Sequence, residues 1–244
     1  MTSPGLDDSS QAFNLTVDAL TSEDLARPSL LPGWTRAHVV AHVALNGEAL
    51  AACLDGIVHH RPVPMYDSDE QRDADIEELA GAQAADIRDR ALGATTLFAE
   101  AVALLDEEHL AESVDRLPGG PEWPVATVVP TRRRELEIHH VDLGTPYTRA
   151  DWPDDFLTEL LSAVTMDHAG SPPFLVRATD LGQDWAVGEG ASGTDLVVTG
   201  TAADLGWWLT GRGEGEGLAT DGGPLPRLGP WRRASATAAP TQVT

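Results

Sequence analysis

The strongest local signal in the sequence is Arg134-Glu135-Leu136-Glu137-Ile138-His139-His140-Val141-Asp142-Leu143. An α-helix turns by about 100° per residue, so Glu135, His139 and Asp142 fall within about 60° of one another and share one stripe of a helix. A glutamate and a histidine one turn apart can bind a single metal ion, but a third ligand must come from elsewhere in the chain. The alternative is a solvated helix face on which the three arginines at 132–134 pair with acids, and the local sequence leaves both interpretations open.

The best candidate for the third ligand is His42, in the stretch Arg36-Ala37-His38-Val39-Val40-Ala41-His42-Val43-Ala44. It lies among apolar residues, where an imidazole needs a partner. His38 is its rival, although no glutamate follows it and the HExxH metalloprotease pattern is absent. A lone histidine on such a face is more often a hydrogen-bonded core residue than a ligand. The other histidines outside the 134–143 stretch are predicted at the surface: His59, His60, His109 and His168.

Apolar residues recur at spacings of three and four through the first two-thirds of the chain, which is typical of helices. The predicted helices run from about Ser9 to Leu20, from Thr35 as N-cap towards Leu54, from a capping Ser68 to Leu105, and from Thr131 to Leu143. The third is long, and Gly81 and Gly93 are its weak points. Four helices joined by loops predict a bundle, whose core is a natural place for a metal site.

The pattern changes after Tyr147. A helix capped by Asp151 or Asp154 is predicted up to Asp167, and alternation then predicts short antiparallel strands at Phe174–Ala178, Trp185–Val187 and Leu196–Val198. Another helix is predicted from the Thr201 cap to Leu209. The fold class is therefore α+β, with a helical domain at 1–149, a small α/β domain at 150–233 and a disordered tail at 234–244.

Composition and charge exclude several functions. The chain has 244 residues, 16 basic against 39 acidic, and a net charge of -23, so it repels nucleic acids and anionic membrane surfaces. All the basic residues are arginine, which excludes Schiff-base and P-loop lysine chemistry. The N-terminus at 1–11 carries neither a basic nor an apolar signal region, and a cytoplasmic monomer is expected.

The single cysteine, Cys53, excludes an intramolecular disulfide, a Cys-rich zinc finger and a CxxC redox pair. It lies in Ala51-Ala52-Cys53-Leu54, an apolar helical setting that keeps a thiol protonated and inert. Any metal must therefore be held by histidine and carboxylate, and a working sulfur must come from a small molecule.

Five motifs together resemble the mycothiol-dependent maleylpyruvate isomerases, a family within the DinB-like metal-dependent thiol enzymes. They follow the family order and spacing over nearly the whole chain: Pro32-Gly33-Trp34-Thr35-Arg36, Ala41-His42-Val43-Ala44, Pro64-Met65-Tyr66 with Arg72, Arg134-Glu135 to Leu143, and Gly211-Arg212-Gly213. Each motif alone is weak, but the set is fairly specific for the wider group. It is less specific for the isomerase itself, because the group also contains thiol transferases.

The resemblance implies a DinB-like four-helix bundle that binds zinc, or another divalent metal, through His42, Glu135 and His139. It further implies that Arg72, Asp142 and Arg212 are catalytic and cofactor-binding residues. The cofactor would be mycothiol, and the reaction would convert maleylpyruvate to fumarylpyruvate in the degradation of aromatic compounds. The partners are then a small thiol and a dicarboxylate or other electrophile.

The chemistry of the residues agrees with this expectation. Two histidines and one glutamate leave a fourth tetrahedral position open, as in catalytic zinc sites. Arg72 and Arg212 suit carboxylate binding, because guanidinium groups bind carboxylates bidentately. Without the resemblance, Arg72 is better interpreted as a surface salt-bridge partner, and Trp207 and Trp208 as core residues. Tyr66 is open to a role in the core or in binding the substrate. A thiol S-transferase and a non-catalytic binding protein are the alternative functions.

Overall fold

The computed structural model describes residues 5–168, 170–191, 196–221 and 223–229, which divide into two compact units between Thr148 and Arg149. The helices of the first unit are α1 (Leu6–Ala19), α2 (Ser22–Leu25), α3 (Arg36–Val58), α4 (Asp69–Ala80), α5 (Ala84–Ala103) and α6 (Val128–Asp142). Its two strands are β1 (Ser113–Asp115) and β2 (Glu122–Pro124). The second unit contains α7 (Asp154–Asp167), β3 (Phe174–Ala178), β4 (Gln183–Val187), β5 (Val197–Gly200), α8 (Ala202–Leu209) and β6 (Ala219–Thr220).

Four helices of the first unit form the predicted bundle. The central helix α3 packs on α5 and α6, and α1 packs on the same two helices from the other side. The core between them is apolar and fully buried, with Val39, Leu50, Leu54, Phe13 and Leu136 among its members. α3 is long and apolar enough to cross a membrane, but 72% of its apolar window is buried in the fold, as in the core helix of a globular bundle.

The third predicted helix is in fact two helices, so the prediction of one long helix is wrong. α4 begins at its predicted cap, where the Ser68 side chain accepts from the N–H of Gln71, and it ends at Gly81. Gln83 is extended, with φ -65° and ψ 145°, before α5 begins. Glycine has the lowest helix propensity after proline, and Gly81 breaks the helix there, whereas Gly93 lies inside α5. α4 packs against α3 and adds Ile76 and Leu79 to the same buried core.

A small hairpin precedes α6 and was not predicted. β1 and β2 pair antiparallel, with Val114 opposite Trp123. α6 then begins at Val128, three residues before the predicted Thr131. Pro130 lies in the first turn of the helix, where a missing N–H costs nothing.

The second unit has a mixed sheet with the order β4-β3-β5-β6. β3 and β4 are antiparallel as predicted, but the predicted third strand, β5, runs parallel to β3 and is antiparallel only to β6. α8 begins at the predicted cap, where Thr201 accepts from the N–H of Asp204. α7 has Pro153 as its N-cap and no capping side chain, which corrects the prediction of an aspartate cap. The predicted tail at 234–244 lies outside the described residues.

The predicted surface histidines differ in burial. His59 and His60 are exposed, and His109 is partly buried and pairs with Asp106. His168 is buried, which contradicts the prediction, and its Nε2 lies 2.7 Å from the carbonyl oxygen of Leu209. A histidine that satisfies one backbone carbonyl in this way is a structural residue of the second unit.

Candidate metal centre

His42 on α3 meets Glu135 and His139 on α6 in the middle of the bundle. His42 Nε2 lies 3.1 Å from Glu135 Oε2 and 3.1 Å from His139 Nε2, and His139 Nε2 lies 3.3 Å from Glu135 Oε2. A tetrahedral ion with metal–ligand distances near 2.0–2.2 Å separates its ligand atoms by about 3.3 Å or slightly more. The three donor atoms therefore fit one small divalent ion, and they leave a fourth tetrahedral position open.

The alternative of a solvated face on α6 is wrong. Arg132 and Arg133 are both 2% exposed, and Glu135 and Glu137 are buried as well. Of these, Glu137 accepts from the Ser9 hydroxyl at 2.5 Å, which ties α6 to α1. The two acidic residues thus lie in different polar clusters, one with the metal ligands and one at the α1 interface.

Asp142 contacts one of the candidate metal ligands. Its Oδ2 lies 2.8 Å from His139 Nδ1, and the residue is fully buried. A carboxylate at Nδ1 keeps a proton on that nitrogen and leaves Nε2 for a metal, which is the common arrangement around histidine ligands. The structure thus brings the predicted acidic residue directly behind His139.

Arg72 lies behind the other histidine. Its Nη2 lies 3.1 Å from His42 Nδ1, and its Nη1 donates to Asp73 at 2.7 Å. The contact with Asp73 agrees with the interpretation of Arg72 as a salt-bridge partner on α4, and a second contact joins it to the candidate ligand His42. Its predicted role in catalysis and cofactor binding stays a prediction.

The two histidines differ in their charge state without a metal. Burial, reinforced by the nearby His139, lowers the pKa of His42 to about 4. Burial also acts to lower the pKa of His139, but hydrogen bonds with Asp142 and Glu135 outweigh it and raise that pKa above its usual value. His42 is thus neutral at physiological pH, whereas the environment of His139 favours its protonated form more than water does.

A cavity of about 290 Å³ opens beside these residues. Its walls include His42, Arg72, Tyr66, Met65 and Arg90. Arg90 is already bound bidentately to Glu48, at 2.8 Å for each bond. Arg72, the other arginine named on the cavity wall, contacts the candidate ligand His42.

Arg132 and Asn46 are buried polar residues near the site that the sequence analysis did not predict as part of it. Arg132 Nη1 donates to the carbonyl oxygen of Val43 at 2.7 Å and to Asn46 Oδ1 at 3.0 Å. Burial lowers the pKa of Arg132 to about 10, so it remains a cation, and its charge acts on Glu135. The available signal was an asparagine followed by Gly47 inside an apolar helix, where a buried amide needs partners.

His38 is not a metal ligand in this arrangement. Its Nδ1 lies 2.7 Å from the Thr35 hydroxyl in a capping box at the start of α3, and its Nε2 lies 3.2 Å from Glu77. Cys53 is buried and donates to the carbonyl oxygen of Val63, and burial raises its pKa to about 12. The predictions of a Thr35 cap and of an inert cysteine are confirmed.

Arg212 follows α8 in the second unit. Its Nη1 donates to the carbonyl oxygen of Thr210 at 3.0 Å, and its guanidinium lies 5.8 Å from the centre of the Trp207 ring. Trp207 and Trp208 are buried, which confirms that they are core residues. The predicted role of Arg212 in substrate binding stays a prediction.

Comparison with known proteins gives consistent matches over both units. The model described as the mycothiol maleylpyruvate isomerase N-terminal domain matches residues 6–144, and the corresponding C-terminal domain model matches residues 146–230. Two solved structures superpose with TM-scores of 0.83 and 0.82 at 24% identity, each covering 93% of this chain and 94% of the other. They are the crystal structure of the mycothiol-dependent maleylpyruvate isomerase and that of a histidine-to-alanine mutant, and at this identity they show a common fold. None of the curated proteins matches the chain.

Proposed function

Because the chain belongs to the mycothiol maleylpyruvate isomerase family, we propose that it is a cytoplasmic cis–trans isomerase that converts maleylpyruvate to fumarylpyruvate with mycothiol and Zn²⁺. One observation carries the proposal. The candidate ligand atoms of His42, Glu135 and His139 all lie within 4.8 Å of one another, on two helices whose ligands are 93 residues apart in the chain. A non-catalytic protein has little reason to keep such an open set of ligands.

The metal would supply one chemical effect, the activation of an external thiol. When bound, Zn²⁺ supplies the positive charge that deprotonates a thiol at its open position near neutral pH. The chain's own residues prepare that site: His42 is neutral, Glu135 offers a carboxylate oxygen, and Asp142 holds the His139 ring in place. Cys53 cannot replace the external thiol, because its sulfur is buried and protonated.

The carbon–carbon double bond of the substrate becomes a single bond during the reaction. Attack by a thiolate on the alkene forms a carbon–sulfur bond and moves the π electrons to the conjugated carbonyl oxygen. The carbon–carbon bond then rotates, and loss of the thiolate restores the alkene in the trans form, so the thiol is conserved. We assign Arg72 and Arg212 to the substrate carboxylates, which need a local positive field in a chain of net charge -23.

The test is an assay of the zinc-loaded protein with maleylpyruvate, run with mycothiol, with glutathione and without thiol. We expect many turnovers to fumarylpyruvate with mycothiol while the thiol concentration stays constant. Replacement of His42 or His139 by alanine should abolish metal content and activity together. Stoichiometric consumption of thiol would instead indicate the S-transferase, and a lack of reaction with every thiol would contradict the isomerase proposal.

A further inference from the structure

A tyrosine is held in the cavity beside the metal ligands. Tyr66 lines the same wall as His42 and Arg72, and its backbone N–H donates to the carbonyl oxygen of Arg116 at 3.1 Å. The guanidinium carbons of Arg72 and Arg116 lie 5.7 and 5.5 Å from the centre of its ring. A backbone hydrogen bond and two cations therefore fix the position of the phenol.

Asn46 determines which kind of hydrogen bond the Tyr66 hydroxyl receives. Arg132 donates to Asn46 Oδ1, and because an arginine has no acceptor, the carbonyl side of the amide must face Arg132. The amide nitrogen of Asn46, which can only donate, then faces its other side-chain partner, the hydroxyl of Tyr66. Asn46 is buried, so this orientation is not exchanged for contacts with bulk water.

Arg72 is the second hydrogen-bonding partner of the Tyr66 hydroxyl, and it too can only donate. The phenol oxygen thus faces two groups that can only donate. Neither partner can take the hydroxyl hydrogen, which needs a different acceptor. The side of the phenol that faces the cavity is where such an acceptor from a bound molecule would lie.

We propose that Tyr66 is a further catalytic residue, which donates its hydroxyl hydrogen to the substrate oxygen that gains negative charge during isomerisation. The inference rests on the proposed function. The π electrons that reach this oxygen when the carbon–sulfur bond forms return when that bond breaks, so the tyrosine keeps its proton and no net proton transfer is needed. A donor that is already oriented stabilises the charged state without reorganisation, which is how oxyanion holes act.

Glu135 is the alternative acceptor, since its charge acts on Tyr66. Tyr66 would then be a positioning residue that holds a metal ligand. The two roles differ in what they affect. A donor to the substrate changes kcat, whereas a residue that holds Glu135 changes the affinity for the metal.

The first test removes one hydroxyl at a time from the two tyrosines of the chain. Tyr66→Phe keeps the ring, and we expect kcat to fall by about 10²-fold while zinc affinity and KM stay at wild-type values. Tyr147→Phe is the matched control, because the Tyr147 hydroxyl donates to Glu137 in the other polar cluster, and it should keep its kcat. A Tyr66→Phe enzyme with full kcat, or one that loses zinc affinity in parallel with kcat, would overturn the proposal.

A second variant tests the hydrogen-bond directions. Asn46→Asp preserves the bond to Arg132 but presents an acceptor to Tyr66, which draws the hydroxyl hydrogen away from the cavity. We expect kcat to fall by at least about tenfold with helical content unchanged by circular dichroism. Wild-type kcat in a folded Asn46→Asp protein would show that the orientation of Asn46 is irrelevant.

Binding of acetopyruvate separates this inference from the proposed function. This 2,4-dioxo acid carries the charged enolate oxygen but has no alkene to isomerise, so its dissociation constant can be measured even if the wild-type enzyme does not turn over maleylpyruvate. We expect the zinc-loaded Tyr66→Phe variant to bind it about tenfold more weakly than the wild type and the Tyr147→Phe control. Equal affinities, or no binding to the wild type, would refute the role of Tyr66 whatever the assay with maleylpyruvate shows.

Discussion

The two histidines of the site have the same side chain and opposite environments. His42 faces the guanidinium of Arg72 at Nδ1, whereas His139 faces the carboxylate of Asp142 at the same atom. A neutral imidazole that binds a metal through Nε2 carries its proton on Nδ1, and there a carboxylate is favourable and an arginine is not. Metal binding therefore keeps the contact of His139 with Asp142 and competes with the contact between His42 and Arg72.

We predict that Asp142→Asn lowers zinc affinity by about 10–100-fold, because the residue that orients His139 loses its charge. The pKa of His139 is raised in the metal-free protein, so protons compete with zinc below that pKa and affinity falls as the pH falls. In the variant this fall should begin at a lower pH. Competition with a chromogenic chelator across the pH range measures both effects.

Asp55→Asn is the matched control for that variant, because Asp55 pairs with the exposed His59 at 3.2 Å. It should leave the zinc affinity and its pH profile unchanged. Wild-type zinc affinity in Asp142→Asn would show that Asp142 does not orient the metal ligand.

We predict that Arg72→Met binds zinc at least as tightly as the wild type, with a gain of up to about fivefold, because one hydrogen bond that favours the wrong tautomer of His42 is gone. Its turnover of maleylpyruvate should fall by about 10²-fold, since the charge that binds a carboxylate is lost. Zinc content by atomic absorption and steady-state kinetics on the same sample provide the two numbers. Loss of zinc together with activity would assign Arg72 to the metal site alone.

At the scale of the helices, a glycine sets how closely α3 and α6 approach beside the metal ligands. A Cβ on Gly47 would lie 2.8 Å from the nearest guanidinium atom of Arg132, which is closer than van der Waals contact allows. Arg132 is itself buried and bonded to Val43 and Asn46, so it has little room to move. The pairing of these two helices therefore depends on the absence of a side chain at one position.

We predict that Gly47→Ala destabilises the metal-free protein by about 1–3 kcal/mol, since overpacking must displace Arg132. Gly93→Ala is the matched control in α5, where a Cβ meets nothing within 4 Å, and it should stabilise by about 0.5–1 kcal/mol through helix propensity. Urea unfolding followed by circular dichroism at 222 nm compares the two variants. Equal effects of the two substitutions would mean that Arg132 moves aside at no cost.

Among the elements of the first unit, the candidate metal ligands are a small polar group inside a large apolar core. The bundle buries apolar side chains from α1, α3, α5 and α6, and the hydrophobic contribution of this core does not require an ion. The site is thus built on a scaffold that folds for other reasons, unlike a zinc finger, which depends on its metal.

We predict that removal of the metal with EDTA abolishes activity while the far-ultraviolet circular dichroism spectrum stays unchanged. The melting temperature should fall by a few degrees, because a ligand that binds only the folded state stabilises it by mass action. Activity should return when zinc is added back. Loss of helical signal on chelation would show that the metal is part of the folding core.

Local features of this protein could be predicted from its sequence, because they depend on residues within about one helical turn. The caps at Thr35, Ser68 and Thr201 and the alignment of Glu135 with His139 are of this kind. The pattern also favoured His42 over its rival His38 as the third ligand, and the resemblance to a family implied the same residue.

The contacts between residues distant in the chain became known from the three-dimensional fold. The choice between His38 and His42 depends on which face of α3 packs on α6, and the orientation of Asn46 depends on a guanidinium 86 residues away in the chain. The parallel pairing of β5 with β3 and the burial of His168 depend in the same way on contacts over long sequence separations. Such contacts are set by the packing of whole elements, and no local pattern of residues encodes them.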